Sequence, residues 1–313
     1  MEVAEKKVLV FGSGISGIGA AGLLEERGAK VVLYDGNEKL DRQAVKDQLG
    51  TDSKTEIVLG AFPEELLGVL DMVIISPGVP TDLPIVKKMH EKKIPVIGEI
   101  ELAYQLGKGE VLAITGTNGK TTTTALLGEI MKNDRESVFV VGNIGNPYTT
   151  VVDDTREDSV IVAEMSSFQL ESTDAFRPRV SAILNLTPDH LNRHHTMEAY
   201  IQAKMNIAKN QTQNDVCVLN YEDEVLRKFG EKIEAQVLYF SSRRKLEKGI
   251  YLEDGNIIYK NPEECLVCNV KELKLLGMHN FENVMAAVAM AAAYGVPMEK
   301  IRESVRTFAG VEH

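Results

Sequence analysis

The chain has 313 residues, 44% of them hydrophobic and 26% charged, with 25 glycines and 10 prolines; such a length predicts two domains, and such a composition excludes a disordered or fibrous protein. Lys and Arg number 35 against 46 Asp and Glu, a net charge of −11, and the absence of a basic stripe argues against nucleic acid as a partner. The apolar run near the N-terminus stops at Phe11, too short for a signal sequence or a membrane span. A cytoplasmic monomer with no membrane partner is therefore expected.

Short β-rich runs at 8–11, 31–34, 56–59, 72–75 and 96–97 alternate with helical stretches. That alternation predicts a parallel sheet. The first strand leads into Gly12-Ser13-Gly14-Ile15-Ser16-Gly17, and a helix is expected from Ile15 to Arg27, because Gly28 stands where a left-handed C-terminal residue is wanted. The run fits GxGxxG, and Asp35 closes the second strand 18 residues after Gly17. Alone, this is a dinucleotide fingerprint, which says that a diphosphate can approach a helix N-terminus. Since a nicotinamide dehydrogenase has little use for the ATP-type loop described next, a UDP-linked ligand is the better occupant.

A helix and linker are expected over 98–107, with the domain boundary near Gly98. A second α/β series follows, with strands at 111–115, 138–141, 160–164, 180–185, 216–220 and 237–240. The loop Thr115-Gly116-Thr117-Asn118-Gly119-Lys120-Thr121-Thr122 lies after a strand and opens a helix. Glycines there let backbone N–H groups converge on phosphate oxygens, Lys120 adds a full positive charge, and the Thr121 hydroxyl suits Mg²⁺. The loop departs from the strict GxxxxGK[ST] pattern, because Ile114 stands where that pattern has its first glycine.

Glu164, in Glu164-Met165-Ser166-Ser167-Phe168-Gln169-Leu170, and His190, in Asp189-His190-Leu191, fall at strand ends, where a carboxylate and an imidazole can serve Mg²⁺. His190 and His194 stand four apart, but no HExxH or cysteine partner completes a zinc site. Lys204 alone reads as a solvated helix lysine, and Asn280, in His279-Asn280-Phe281-Glu282-Asn283, as a helix cap. A hairpin is expected over 249–259 with its turn at Asp254-Gly255. Cys217, Cys265 and Cys268 are an odd number of thiols, and Cys265-Leu266-Val267-Cys268, without a second pair or a nearby His, reads as strand rather than as a zinc or redox site. Helices are expected from Asn280 through Ala293 and from Pro297 to Phe308.

Five segments in this order resemble the Mur ligases: the phosphate loop, the run at Glu164–Leu170, Asp189-His190-Leu191, Ala203-Lys204, and His279-Asn280 with Asn283. Asn118, Ser76-Pro77-Gly78-Val79-Pro80 and the run 97–102 resemble the D-glutamate-adding branch more than the L-alanine-adding one. The resemblance implies a Rossmann-like UDP-substrate domain over 1–98, a P-loop ATPase-type α/β domain over 99–309, and in 310–313 the start of a linker to a third domain. It implies that UDP-N-acetylmuramoyl-L-alanine lies along Gly14, Ile15, Ser16, Asp35, Ser76, Pro77, Gly78, Asn143, Ser166 and His190. ATP is implied at Gly116, Thr117, Asn118, Gly119, Lys120, Thr121, Thr122, Asn280 and Asn283, with one Mg²⁺ at Thr121 and Glu164, a second at His190, and a carbamylated Lys204 that helps hold the metal.

The reaction so implied is ATP-dependent ligation of D-glutamate through an acyl phosphate, with Lys120, Glu164, His190 and Lys204 at its centre. With the amino-acid pocket placed largely in the third domain, these 313 residues are expected to bind the UDP substrate without turnover. Alternatives are another Mur or folylpolyglutamate-type ligase, or a UDP-sugar-binding module without catalysis; the first-domain glycine run argues against the folylpolyglutamate type.

Overall fold

Each β-rich run of the first hundred residues becomes a strand, in a computed structural model that describes residues 1–143 and 146–311. Ile144 and Gly145 of the Gly142-Asn143-Ile144-Gly145 run, and Glu312 and His313 of the expected linker, lie outside the described residues. The chain begins β1 (Lys7–Phe11), α1 (Ile15–Glu26), β2 (Lys30–Asp35), α2 (Arg42–Leu49), β3 (Glu56–Leu59), β4 (Met72–Ile75), α3 (Pro84–Glu91), β5 (Val96–Gly98) and α4 (Glu99–Leu106). The five strands pair in parallel in the order β3-β2-β1-β4-β5. A parallel sheet is covered on both faces, so Val8, Leu9 and Val10 are all buried. α1 ends as its sequence predicts, with Arg27 capping and Gly28 left-handed at φ 78°.

This first compact unit runs to Gly107, past the expected boundary at Gly98, and takes in Asn146–Asp154 and Phe168–Phe176. The physical reason is α4, which buries Ile100, Leu102 and Ala103 and packs on α1, β4 and β5. Its buried Glu101 accepts hydrogen bonds from the N–H groups of Asp174, Ala175 and Phe176, which ties that later segment to the unit.

The chain continues with β6 (Glu110–Thr115), α5 (Lys120–Asp134), β7 (Val138–Gly142), β8 (Val160–Glu164), α6 (Ser167–Glu171), β9 (Val180–Ile183), α7 (Leu191–His194), α8 (Met197–Met205), β10 (Val216–Asn220) and α9 (Glu224–Gly230). Then come β11 (Gln236–Ser241), β12 (Gly249–Glu253), β13 (Asn256–Lys260), β14 (Glu264–Asn269), α10 (Met278–Tyr294) and α11 (Met298–Thr307). The nine strands form one sheet in the order β14-β13-β12-β11-β10-β9-β6-β8-β7, parallel from β7 to β12 and antiparallel beyond. The β12–β13 hairpin turns at Asp254 (φ 49°) and Gly255 (φ 76°), two successive positive φ angles that match the right-handed twist of the strands. Cys265 and Cys268 lie on β14, and all three cysteines are free thiols.

The core of this unit is the Ala-rich α10, whose residues from Val284 to Ala291 are all buried beside Leu112, Ile114 and Leu126. α10 corrects one expectation. It starts at Met278 with Gly277 as its cap (φ 97°), so Asn280 sits inside the first turn and donates to the Leu276 carbonyl at 2.8 Å instead of capping the helix. β9 also stops at Ile183, two residues short of Asn185. Leu184 N–H still reaches the Thr115 carbonyl, and Asn185 turns toward the loop after β6.

Candidate active site

In the second unit β6 lies between β8 and β9, so three strand ends open on one crevice. The loop after β6 is the glycine run, Glu164 ends β8, and Asn185 follows β9. Gly119 is left-handed at φ 85°, and a Cβ there would sit 2.1 Å from Asn283 Oδ1. Only glycine fits. α5 begins immediately after with no side-chain cap, which leaves its first N–H groups for a ligand.

Asn185 clips the loop in place: Asn118 N–H donates to its Oδ1 at 2.8 Å, and its Nδ2 donates to the Asn118 carbonyl at 3.0 Å. The Thr117 hydroxyl donates to the Thr187 carbonyl at 3.1 Å and lies 2.9 Å from the Tyr200 hydroxyl. The Lys120 ammonium donates to the carbonyls of Gly116 (3.0 Å) and Thr117 (2.9 Å), curled over its own loop. Burial pulls its pKa down, against the opposing pull of Glu164 and Asp189.

Glu164 is buried, and both of its oxygens accept hydrogen bonds, Oε2 from the Thr121 hydroxyl (3.0 Å) and Oε1 from Asn143 Nδ2 (2.9 Å). A hydroxyl and a carboxylate side by side form a hard oxygen donor set suited to Mg²⁺. No cluster of three or more His, Cys, Asp or Glu suited to a metal occurs among the described residues. A metal here would thus be completed by ligand and water oxygens, as Mg²⁺ bound with nucleotide phosphates usually is.

Lys204, 2% exposed, is far from the solvated lysine its helix suggests. It donates to the Gly116 carbonyl at 2.8 Å and lies 3.5 Å from Thr115 Oγ1 and 4.8 Å from the centre of the Tyr200 ring. Burial, and then the neighbouring Lys120 charge, push its pKa down to about 7, so a neutral amine is available near neutral pH. His190 stands in an exposed turn at φ 50°, 3.3 Å from the Asp189 carboxylate. Asp189 in turn raises the pKa values of Lys120 and Lys204, which puts this turn within their electrostatic reach.

Asn118, Gly119, Thr122, Asn280 and Asn283 line a cavity of about 620 Å³ beside the loop. Loop residues and the start of α10, 160 residues apart in sequence, are thus joined. Asn185 and Tyr200 were not legible as site residues from the sequence, and Asp189, though part of the Asp189-His190-Leu191 segment, carried no role of its own there. The available signals were a polar residue just past a strand beside the phosphate-loop strand, an acid next to His190, and a tyrosine one helical turn before Lys204.

In the first unit the chain crosses from one side of β1 to the other before β4, so a second crevice opens at the ends of β1 and β4. Gly12 has φ 105°, and a Cβ on Gly17 would lie 1.8 Å from the Gly12 carbonyl, so the turn closes only with glycine. Gly14 starts α1 without a side-chain cap, Ile15 is 78% exposed, and Ser16 lies in the first turn. The Ser76 hydroxyl donates to the Gly12 carbonyl at 3.3 Å, and Pro77 and Gly78 form the turn that returns Val79 N–H to the Ser76 carbonyl. Asp35 Oδ2 accepts from Ser13 N–H (3.0 Å) and hydroxyl (2.7 Å), and Oδ1 from Asn37 N–H. Burial pushes the Asp35 carboxyl up, but these hydrogen bonds outweigh it and hold it below the usual carboxylate range. Gly14, Ile15, Ser16, Asp35, Ser76, Pro77 and Gly78 all belong to this unit, whereas Asn143, Ser166 and His190 belong to the second.

Residues 114–291 match the Mur ligase middle domain, and residues 6–98 match the N-terminal domain of MurD-like Mur ligases. A protein of Lachnoclostridium phytofermentans named UDP-N-acetylmuramoylalanine–D-glutamate ligase is 59% identical over 100% of this chain and 69% of its own length. The protein of the same name from Clostridioides difficile is 46% identical, with the same coverage. The crystal structure of UDP-N-acetylmuramate:L-alanyl-gamma-D-glutamyl-meso-diaminopimelate ligase from Neisseria meningitides aligns over 99% of this chain and all of its own, with TM-score 0.66 and 21% identity. UDP-N-acetylmuramate-alanine ligase from Thermotoga maritima aligns over 98% of this chain and 69% of its own, with TM-score 0.57 and 24% identity. These two show the fold.

Proposed function

This chain belongs to the Mur ligase family, the ATP- and Mg²⁺-dependent ligases of peptidoglycan synthesis, and from that membership we propose that its reaction is the joining of D-glutamate to UDP-N-acetylmuramoyl-L-alanine through an acyl phosphate. The observation that carries the proposal is the Lys120–Thr121–Glu164 arrangement at the β6–β8 crevice, in a chain 59% identical to a D-glutamate ligase. Lys120 and the first N–H groups of α5 neutralise the ATP phosphates, and Asn185 holds the loop that presents them. Asn280 and Asn283 reach the nucleotide from the far wall of the cavity.

Thr121 and Glu164 would hold one Mg²⁺ and His190 a second, with the carbamate of a modified Lys204 helping to hold the metal, and the bound ions would supply screening of the phosphate charge. Carbamylation is consistent with the buried Lys204 amine: the modification turns a cation, which would repel the metal, into an anion. In the first unit the N-terminus of α1 receives the diphosphate, and Asp35, with the turn at Ser76 to Gly78, orients the rest of the UDP group. The carboxylate of the alanyl group attacks the γ-phosphorus and ADP leaves; the D-glutamate amine then attacks the acyl phosphate and phosphate leaves.

The 313 residues, which span 69% of the length of these relatives, are proposed to act as a monomer and to bind the UDP substrate without turnover. Phosphate release in the presence of ATP, UDP-N-acetylmuramoyl-L-alanine and D-glutamate, compared with a full-length relative, tests this. Equal turnover by both contradicts the placement of the amino-acid pocket outside these residues.

A further inference from the structure

Glu99, the first residue of α4, is 1% exposed. A carboxyl so deeply placed needs a partner for each oxygen or a proton. The Gln169 side-chain amide donates to Oε1 at 3.1 Å, whereas Oε2 is buried with no hydrogen-bond partner among the described residues. The elements packed most closely on α4 are α1, β4, β5 and the turn Tyr148–Thr150. None of them supplies a cation: residues 15–22 of α1 are uncharged, as are β4 and β5, and the turn brings only the Tyr148 phenol as a titratable group. α6 brings Gln169 and Glu171, and on α4 itself Glu101 is taken up by the N–H groups of Asp174, Ala175 and Phe176. From α1 the group that acts on Glu99 is Ser16, in the helix's first turn.

A buried carboxyl with one oxygen unsatisfied thus lies behind a turn whose N–H groups favour an anion. We propose that Glu99 is a positioning residue for this turn, carrying a proton on Oε2 when a diphosphate-bearing ligand is seated on α1, so that binding in alkaline solution, where the free carboxyl is ionised, takes up one proton from solvent. The inference rests on the reading of the first unit as the UDP-substrate site. An ionised Glu99 would place negative charge behind the anion with no cation to offset it, whereas the neutral acid lets the Ser16 turn keep its shape without repulsion. Burial pushes the Glu99 carboxyl up to about 7, against the opposing pull of Gln169 and Ser16, so the two forms exchange near neutral pH. A bound anion raises that pKa further. Affinity is therefore greatest below about pH 7 and falls above it, by at most about tenfold per pH unit.

The test is calorimetry with UDP-N-acetylmuramoyl-L-alanine from about pH 6 to about pH 9, in buffers of differing ionisation enthalpy, on the wild-type protein and on Glu99→Gln. The diphosphate itself stays fully ionised throughout this range, and the uracil imide, which begins to ionise at its top, contributes equally with wild type and Glu99→Gln and cancels in their difference. The wild type should weaken as pH rises and take up close to one proton per ligand at the top of the range. Glu99→Gln, neutral and of nearly the same shape, should keep the low-pH affinity throughout and lose that uptake. A folded Glu99→Gln protein with the wild-type pH slope, or a wild type without proton uptake, overturns the inference and leaves the substrate reading standing. A wild type that fails to bind at any pH overturns the substrate reading and the inference with it.

Discussion

Half-buried Lys120 and buried Lys204 both donate to the Gly116 carbonyl, so two amines share one acceptor behind the phosphate loop and burial lowers the pKa of each. Such a pair is held apart from solvent at a cost that a bound polyanion relieves. Lys120→Ala should lower affinity for a non-hydrolysable ATP analogue by at least about tenfold, in line with the loss of a charge-assisted contact. A folded variant that binds as tightly as wild type contradicts the role given to Lys120. In a full-length relative, alanine in place of the lysine that matches Lys204 should leave the enzyme nearly inactive and partly restored by short carboxylic acids that replace the missing anion; wild-type activity without them rules out an essential carbamate. Glu99 adds a stability test. Its folded-state pKa of about 7 exceeds its ordinary value of 4.5, so between those values the folded protein binds more protons than the unfolded chain, and stability falls as pH rises across that window. Glu99→Gln should therefore gain stability relative to wild type with rising pH, reaching on the order of 3 kcal/mol above pH 7 by denaturant unfolding. A difference that does not change with pH contradicts a buried protonated acid.

At the scale of elements, the loops work because backbone geometry is fixed at a few glycines. Gly119→Ala combines a left-handed φ of 85° with a Cβ 2.1 Å from Asn283 Oδ1. It should cost about 1–3 kcal/mol of stability and displace the start of α5. Retained stability together with retained analogue affinity would show that the loop relaxes around the methyl group. Much of this level was legible in sequence: the β-branched runs became strands, Gly28 ended α1, and Asp254-Gly255 made the hairpin turn. What sequence could not give were contacts between elements distant along the chain. Lys204 reads as a surface lysine from its helix alone, and only the packing of α8 behind the phosphate loop buries it. Asn280 was misread as a cap because Gly277, at φ 97°, can open the helix without a side-chain acceptor. Asn185 was passed over because its partner Asn118 lies 67 residues away.

At the scale of the molecule, the two crevices have the same logic, a glycine loop leading from a central parallel strand into a helix without a side-chain cap. The sequence carries that repetition of design, but the boundary between units depends on α4, whose packing on α1, β4 and β5 carries the first unit to Gly107. Ligands assigned to different crevices should respond to different residues. Asp35→Ala should weaken UDP-substrate binding by roughly tenfold or more while leaving ATP-analogue affinity nearly unchanged; equal losses for both ligands contradict separate sites. The most direct measurement is a calorimetric titration of the folded 313-residue protein with UDP-N-acetylmuramoyl-L-alanine and, in parallel, with NAD and with folate. Saturable one-to-one binding of the UDP substrate and no binding of the other two is expected; binding of NAD or folate in its place would contradict the assignment of the first crevice.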